Sequence, residues 1–295
     1  MRTQIKKRKM MWSLAVAASV ALAQGSVLAD DDDDSDRGGR CAGLPSHHDL
    51  TDALKDSVFP TSGNENGGFD LNMWATVVNR DGIVCVVTRS GDDRGDQWPG
   101  SRVISAQKAN TANSFSLPLT APISGLALST ANLWAATQPG GSLFGLQFSN
   151  PVDTAVAYGG PNHSGGNARR YGKRNDPLVG KFIGGVNVFG GGLALYDAYG
   201  TLLGAVGVSG DSSCADHNVA WRVRDQLGLD FVVAGVGTPG DNIIFDVADD
   251  AHGNPESAGG FGHPKCGVGP DDAADNTAIV ALCPLNDGAT AGCGV

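Results

Sequence analysis

Leu193-Ala194-Leu195-Tyr196-Asp197-Ala198-Tyr199-Gly200-Thr201-Leu202-Leu203-Gly204-Ala205-Val206-Gly207-Val208-Ser209-Gly210 is the stretch that decides the fold. Leu193 to Tyr196 and Leu202 to Val208 are β-rich, and Asp197-Ala198-Tyr199-Gly200 between them is a turn whose glycine can take positive φ. The stretch is therefore an antiparallel hairpin. Ser213-Cys214-Ala215-Asp216 follows it as a capping box, and Val219, Ala220, Val223 and Leu227 then recur at helical spacing, which predicts an amphipathic helix.

The same order of elements occurs nearer the amino terminus. Ser46 caps a helix in which Asp49, three residues on, completes a capping box and Leu50, Ala53, Leu54 and Val58 form the apolar face. Gly63 to Gly68 reads as a loop. Met73 to Val78 and Ile83 to Thr88 make a second hairpin around Asn79-Arg80-Asp81-Gly82, another Asx-x-x-Gly turn. Ser101 to Phe115 returns to the helical period, with Ala106, Ala109 and Ala112 as a small-residue face suited to close approach to a sheet; Lys108 lies in the neighbouring stripe, where it can snorkel to the core edge or meet a ligand. Residues 116 to 180 are an elaborated excursion with a short helix over Leu126 to Thr137 and a basic cluster, Arg169, Arg170, Lys173 and Arg174. Two antiparallel hairpins flanked by helices, without βαβ alternation, predict an α+β fold with one central antiparallel sheet.

Composition agrees with that reading. The 295 residues include 43 Gly, roughly twice the usual share, and only 18% charged residues, which excludes coiled coils and charge-rich disorder. Lys6 to Lys9 precede an apolar run from Met10 to Ala23 and small residues to Ala29, so residues 1–29 read as a secretory signal peptide and the mature chain as secreted or periplasmic. Removing that leader leaves 16 Lys and Arg against 31 Asp and Glu, a balance that repels nucleic acid and anionic lipid. No later segment supplies the roughly 20 apolar residues of a membrane-spanning helix. Residues 30–43 are an acidic spacer; Asp30 to Asp34 could hold calcium but read more simply as solvated chain. The body spans 44–248, and 249–295 form a Gly-rich, Cys-containing tail.

Six cysteines in an exported chain favour disulfides, with Cys41, Cys85, Cys214 and Cys266 expected in the body and Cys283 and Cys293 stapling the tail. No Cys-x-x-Cys pair occurs. Gly235-Val236-Gly237-Thr238-Pro239-Gly240 fits a dinucleotide-loop pattern, but Pro239 and the following Ile243 to Val247 suggest turn and strand rather than the required helix. Neither a G-x-S-x-G elbow nor an H-E-x-x-H helix is present, so a hydrolase reading has no nucleophile or metal anchor. His47 shares a helical face with Leu50 and Leu54, and a helix amino terminus disfavours the imidazolium, leaving the neutral form that ligates iron. A histidine at the edge of a core is the structural alternative. His217, beside Asp216 and one turn from Trp221, is either a ligand or a surface residue; Asp216 reads as a helix-start acceptor.

Two stretches carry a family resemblance. Gln107-Lys108-Ala109-Asn110-Thr111-Ala112 is similar to the K-A-x-T-A helix of the GlcG/HbpS haem-binding family. Ile183-Gly184-Gly185-Val186 and Gly204 to Gly210, with Asp216 and Ala220 behind them, resemble its G-G-x-P and G-A-I-G-V-S-G patterns, over about residues 44 to 229. Asn187 stands where the family has Pro, Phe189 to Gly192 lengthen a turn, and the excursion is expanded. The resemblance implies a profilin-like fold, haem as cofactor and a possible homo-oligomer. A porphyrin needs an apolar slot, an axial base and cations for its propionates; His47 is the candidate metal ligand, Lys108 and Arg102 the candidate cations, and His217 a further candidate contact. Haem sequestration, sensing or an accessory role is the leading expectation. A haem-degrading enzyme, an enzyme acting on a small exported metabolite, and a non-catalytic signalling module are the alternatives.

Overall fold

The computed structural model describes residues 39–61, 65–159, 167–268, 271–288 and 293. The proposed leader, most of the acidic spacer, part of the Gly63 to Gly68 loop, and His163 lie outside the described residues. The described residues all belong to one compact unit.

Helix α1, His47–Val58, begins where the capping box predicts: Ser46 Oγ accepts from the Asp49 amide and the Asp49 carboxylate accepts from the Ser46 amide. Strands β1, Trp74–Asn79, and β2, Val84–Arg89, form the first hairpin around Gly82 at φ 82°. Helix α2 spans Ser101–Phe115. The excursion is built from short pieces: a 3-10 turn at Ala131–Leu133, α3 at Trp134–Thr137, α4 at Leu146–Ser149, α5 at Thr154–Tyr158 and a 3-10 turn at Ala168–Arg170. The helix expected over Leu126 to Thr137 is thus confined to 131–137. Strands β3, Gly192–Tyr196, and β4, Leu202–Ser209, form the second hairpin, and α6 follows at Ser213–Gln226.

The two hairpins join edge to edge through antiparallel β1 and β4, from Trp74 opposite Ser209 to Asn79 opposite Gly204, giving the order β2-β1-β4-β3. The sheet has one helical layer on each face. Val78, Val84, Val87 and Ala205 pack against Val103, Ala106, Ala109 and Ala112 of α2. Ala75, Val77, Val206 and Val208 pack against Leu50 and Leu54 of α1 and Val219, Ala220 and Val223 of α6. Because side chains alternate across a strand, β1, β2 and β4 each feed both cores, and every residue of β1 is buried. The α2 backbone can settle on β4 because position 207 carries no side chain: a Cβ there would collide with the Ser105 carbonyl and lie 2.5 Å from the Ala109 nitrogen.

Several expectations are corrected. Helix α6 is capped by Ser212, whose hydroxyl accepts from the Ala215 amide, one residue earlier than the predicted box, because the Asp216 carboxylate is turned to other donors. Between α6 and the Gly235 to Gly240 turn the sheet-like contacts are isolated bridges, from Asp230 to Tyr196 and from Gly235 to Ala127. A short hairpin, β5 at Val247–Asp249 and β6 at Pro255–Ser257, follows in place of a strand over Ile243 to Val247. No helix opens on Gly235 to Gly240. A further helix, α7, Asp272–Leu282, packs beside α6 and puts Ile279 and Cys283 into the core of α1 and α6. Disulfides join Cys41 to Cys85, Cys214 to Cys266 and Cys283 to Cys293. Among the described residues no helix is long and apolar enough to cross a membrane.

Candidate functional site

Helix α1 sets His47 at its first turn, half-buried, with Nε2 3.1 Å from the Gly172 carbonyl oxygen. Since a carbonyl only accepts, Nε2 carries the proton in that contact. Below it, Thr51 Oγ1 lies 3.5 Å from His47 Nδ1 and 2.6 Å from Thr88 Oγ1 on β2. His48, on the outer face, pairs with Asp52 at 2.9 Å. The segment lying on His47 is the basic one, and Arg169, Arg170 and Lys173 are exposed around it.

That segment is held from beneath by Arg102. Arg102 Nε donates to Asp176 Oδ2 at 2.9 Å, a second guanidinium nitrogen donates to Oδ1, and the Arg102 guanidinium stacks 3.9 Å from the Tyr171 ring centroid. The same carboxylate accepts from the amides of Gly172 and Leu178, both at 2.8 to 2.9 Å. Arg102 therefore reaches the His47 neighbourhood indirectly, by fixing the loop that ends in Gly172. Arg89 adds a donor to the Tyr171 carbonyl at 2.9 Å.

Lys108 and His217 belong to a different locus. Lys108 does not snorkel: its Nζ is enclosed between α2 and α6, 2.6 Å from Asp216 Oδ2 and 3.0 Å from the Val208 carbonyl. Asp216 Oδ1 accepts from the Gly210 and Asp211 amides, so this carboxylate ties the β4–α6 turn to α2. Burial pushes Asp216 up to about 6 against the pull of Lys108, and burial lowers Lys108. The conspicuous lysine of the K-A-x-T-A segment is thus half of a buried ion pair. His217 is fully buried; its Nε2 accepts from the Ile243 amide at 3.1 Å beside Asn242, and burial depresses it to about 4, so it is neutral. It is not a surface residue.

The structure therefore separates the four candidates into two pairs, His47 with Arg102 and Lys108 with His217, and no described contact joins the pairs. Sequence reasoning missed two contributors. Asp176 had no motif to announce it. His263, set in a Gly-rich stretch, is buried with Nε2 2.8 Å from Ser213 Oγ and Nδ1 2.7 Å from the Pro264 carbonyl. This orients an imidazole on a hydroxyl, but the Gly190 amide already donates to the same oxygen at 2.6 Å and holds it in a structural role. Among the described residues, a surface cleft of about 400 Å³ lies beside Pro45, Asp49, Asp52 and Leu227, and another of about 560 Å³ lies between 135–142 and 250–260; no described histidine lines either.

Fold and site together define a disulfide-crosslinked α+β domain, a four-stranded antiparallel sheet between helices, with its polar chemistry concentrated where the Gly-rich turns meet α2 and α6. The chain belongs to the HbpS-like family, described as haem degrading protein HbpS-like, whose model matches residues 64–224. Arg102, Lys108 and His217 lie inside that stretch and His47 precedes it. Among solved structures, the chain is similar to the haem complex of PduOC, at 21% identity over 60% of this chain and 88% of that one, TM-score 0.37. It is also similar to the Klebsiella pneumoniae protein ORFY, at 23% identity over 60% and 86%, TM-score 0.35. A double mutant of HbpS from Streptomyces reticuli matches at 18% identity over 70% and 96%, TM-score 0.33. No curated protein matches the chain.

Proposed function

We propose that the chain is an exported haem-binding protein in which His47 supplies the axial nitrogen. The observation that carries this reading is the family match over residues 64–224. The donor set around His47 fits a ferric porphyrin in kind: an imidazole at the edge of an apolar core, flanked by exposed cations able to meet propionates. Arg169, Arg170 and Lys173 suit that electrostatic task better than Arg102 and Lys108, whose charges are matched by Asp176 and Asp216. When bound, haem supplies the iron centre and its redox chemistry. The protein's own part is to position the imidazole through the α1 cap and to free Nε2 from the Gly172 carbonyl, the ring proton then residing on Nδ1, which faces Thr51 Oγ1.

Titration of the mature chain with hemin, followed by absorbance, tests this. Saturable one-to-one binding with a shifted Soret band is expected, weakened at least tenfold in His47→Ala. Absence of any saturable spectral change refutes haem binding; a normal His47→Ala titration refutes the ligand assignment alone. The family description favours a second reading, haem degradation. Adding a reductant to the complex distinguishes the two: a stable Soret band marks a carrier, and its loss with biliverdin-like products marks a degrader.

A further inference from the structure

Three disulfides cross-link the chain, and they differ in what a thiol can reach. Cys283 and Cys293 are both fully buried. Cys41 is half-buried, but its partner Cys85 lies inside β2 at 4% exposure, among the apolar side chains under α1. Cys266 is half-buried, and its partner Cys214 lies in the first turn of α6. Thiol exchange requires a thiolate to reach one sulfur while the other leaves as an anion. A sulfur in an apolar core is a poor leaving group, whereas the amino end of a helix stabilises a thiolate.

The Cys214 amide supplies a second, independent observation. A helix leaves its first N–H groups without an intrahelical acceptor, and this one donates to Cys266 Sγ at 3.0 Å. Attack on Cys266 shares negative charge over three sulfurs; the central one already meets that donor, and the departing one sits at the α6 terminus. The segment leading to Cys266 is thinly held. Residues 258–261 and Lys265 are exposed, and the ties of 257–266 to its surroundings include single bonds from the Ala135 amide to the Gly262 carbonyl, from the His263 amide to the Ile244 carbonyl and between His263 and Ser213 Oγ. A stretch with so little buried surface opens locally at low cost once its covalent tie is cut.

We propose that Cys214–Cys266 is a thiol-exchange site, a redox latch on residues 257–266 that a low-molecular-weight thiol opens ahead of the other two disulfides. The incoming thiolate attacks Cys266 Sγ, the bond to Cys214 breaks, and Cys214 leaves as a thiolate. A second thiolate attacks the outer sulfur of the mixed disulfide and frees Cys266. Two thiols are thereby oxidised to one disulfide, the protein takes up two electrons, and the two thiol protons end on Cys214 and Cys266. Pro255, Glu256, Ser257 and Gly260 line the 560 Å³ cleft, so the latch also fixes one wall of that cleft. It involves neither His47 nor the basic segment and stands independently of haem binding.

Partial reduction of the intact mature chain in glutathione buffers without denaturant, followed by alkylation and peptide mass spectrometry, tests this. Cys214–Cys266 opens first, and the other two disulfides need at least about tenfold more thiol. Hydrogen exchange on the same samples loses protection over 257–266 while the four-stranded sheet keeps its own, and Cys214→Ser combined with Cys266→Ser reproduces that loss without reductant. Cys41–Cys85 opening first, or all three opening together, overturns the proposal. Loss of protection across the whole sheet on opening marks a structural staple, and unchanged protection over 257–266 means that the disulfide fastens nothing; either result also overturns it.

Discussion

Replacing Lys108 with Met removes the cation enclosed between α2 and α6 while keeping the length and volume of its stem. Asp216, 3% exposed, then faces the core without its 2.6 Å partner, though the Gly210 and Asp211 amides at 3.0 and 2.9 Å remain. Breaking a buried pair from one side costs about 3–5 kcal/mol, and the two surviving donors set the expectation near the lower end, about 3 kcal/mol at pH 7.5. For a domain of this size that is roughly 6–9 °C in Tm. The sign of the pH dependence follows from Asp216. Its folded pKa, about 6, is already above the ordinary aspartate value of 3.8, so its contribution to stability is fully present below 3.8 and is lost as pH rises through 6. Without Lys108 the folded pKa rises further. The deficit of K108M against the wild type is therefore largest above pH 7 and shrinks toward pH 5, where the carboxyl is protonated. Urea unfolding of wild type, K108M, D216N and the double variant at pH 7.5 and pH 5 measures this, and the double variant recovers at least about 1 kcal/mol of coupling relative to the sum of the singles. A K108M protein within about 0.5 kcal/mol of wild type at pH 7.5, against the expected loss, or a deficit equal at both pH values, refutes the assignment of Lys108 and Asp216 as a structural ion pair.

Gly207→Ala puts a methyl group against the Ser105 carbonyl and 2.5 Å from the Ala109 nitrogen, so α2 must lift from β4; a loss of about 1–3 kcal/mol or more is expected in urea unfolding, and an unchanged midpoint contradicts the close approach. Acidification also destabilises the fold through two histidines. His217 and His263 are both depressed to about 4 from 6.5, so their stability contribution is present above 6.5 and lost as pH falls toward 4. By pH 5 each costs about 2 kcal/mol, partly offset by Asp216 taking up its proton in the same window. H263Q, which cannot charge, flattens the pH dependence; a slope identical to the wild type excludes His263 as a contributor.

What lay open in the sequence was whatever depends on neighbours along the chain. The Ser46 to Asp49 box and both Asx-x-x-Gly hairpins follow from side chains acting on backbone within a few residues, α2 follows from its apolar period, and all are present in the fold. The small-residue stripe of α2 even announced a close contact. The identity of its partner, Gly207, required the register of β4 against β1, which no local pattern encodes.

The candidate site was less legible because its meaning lies in pairs distant along the chain. Lys108 meets Asp216 across 108 residues and Arg102 meets Asp176 across 74, so residues that read as ligand cations are neutralised by carboxylates that nothing nearby predicts. His47 was visible as a histidine on an apolar helix face; that the basic segment lies on it follows only from the excursion folding back. Helix caps, turns and periodicity are local free-energy choices, decided within a turn or two of chain. Charge compensation in a core is decided by which buried groups the closed fold brings within a few ångströms, and only the tertiary structure makes that selection.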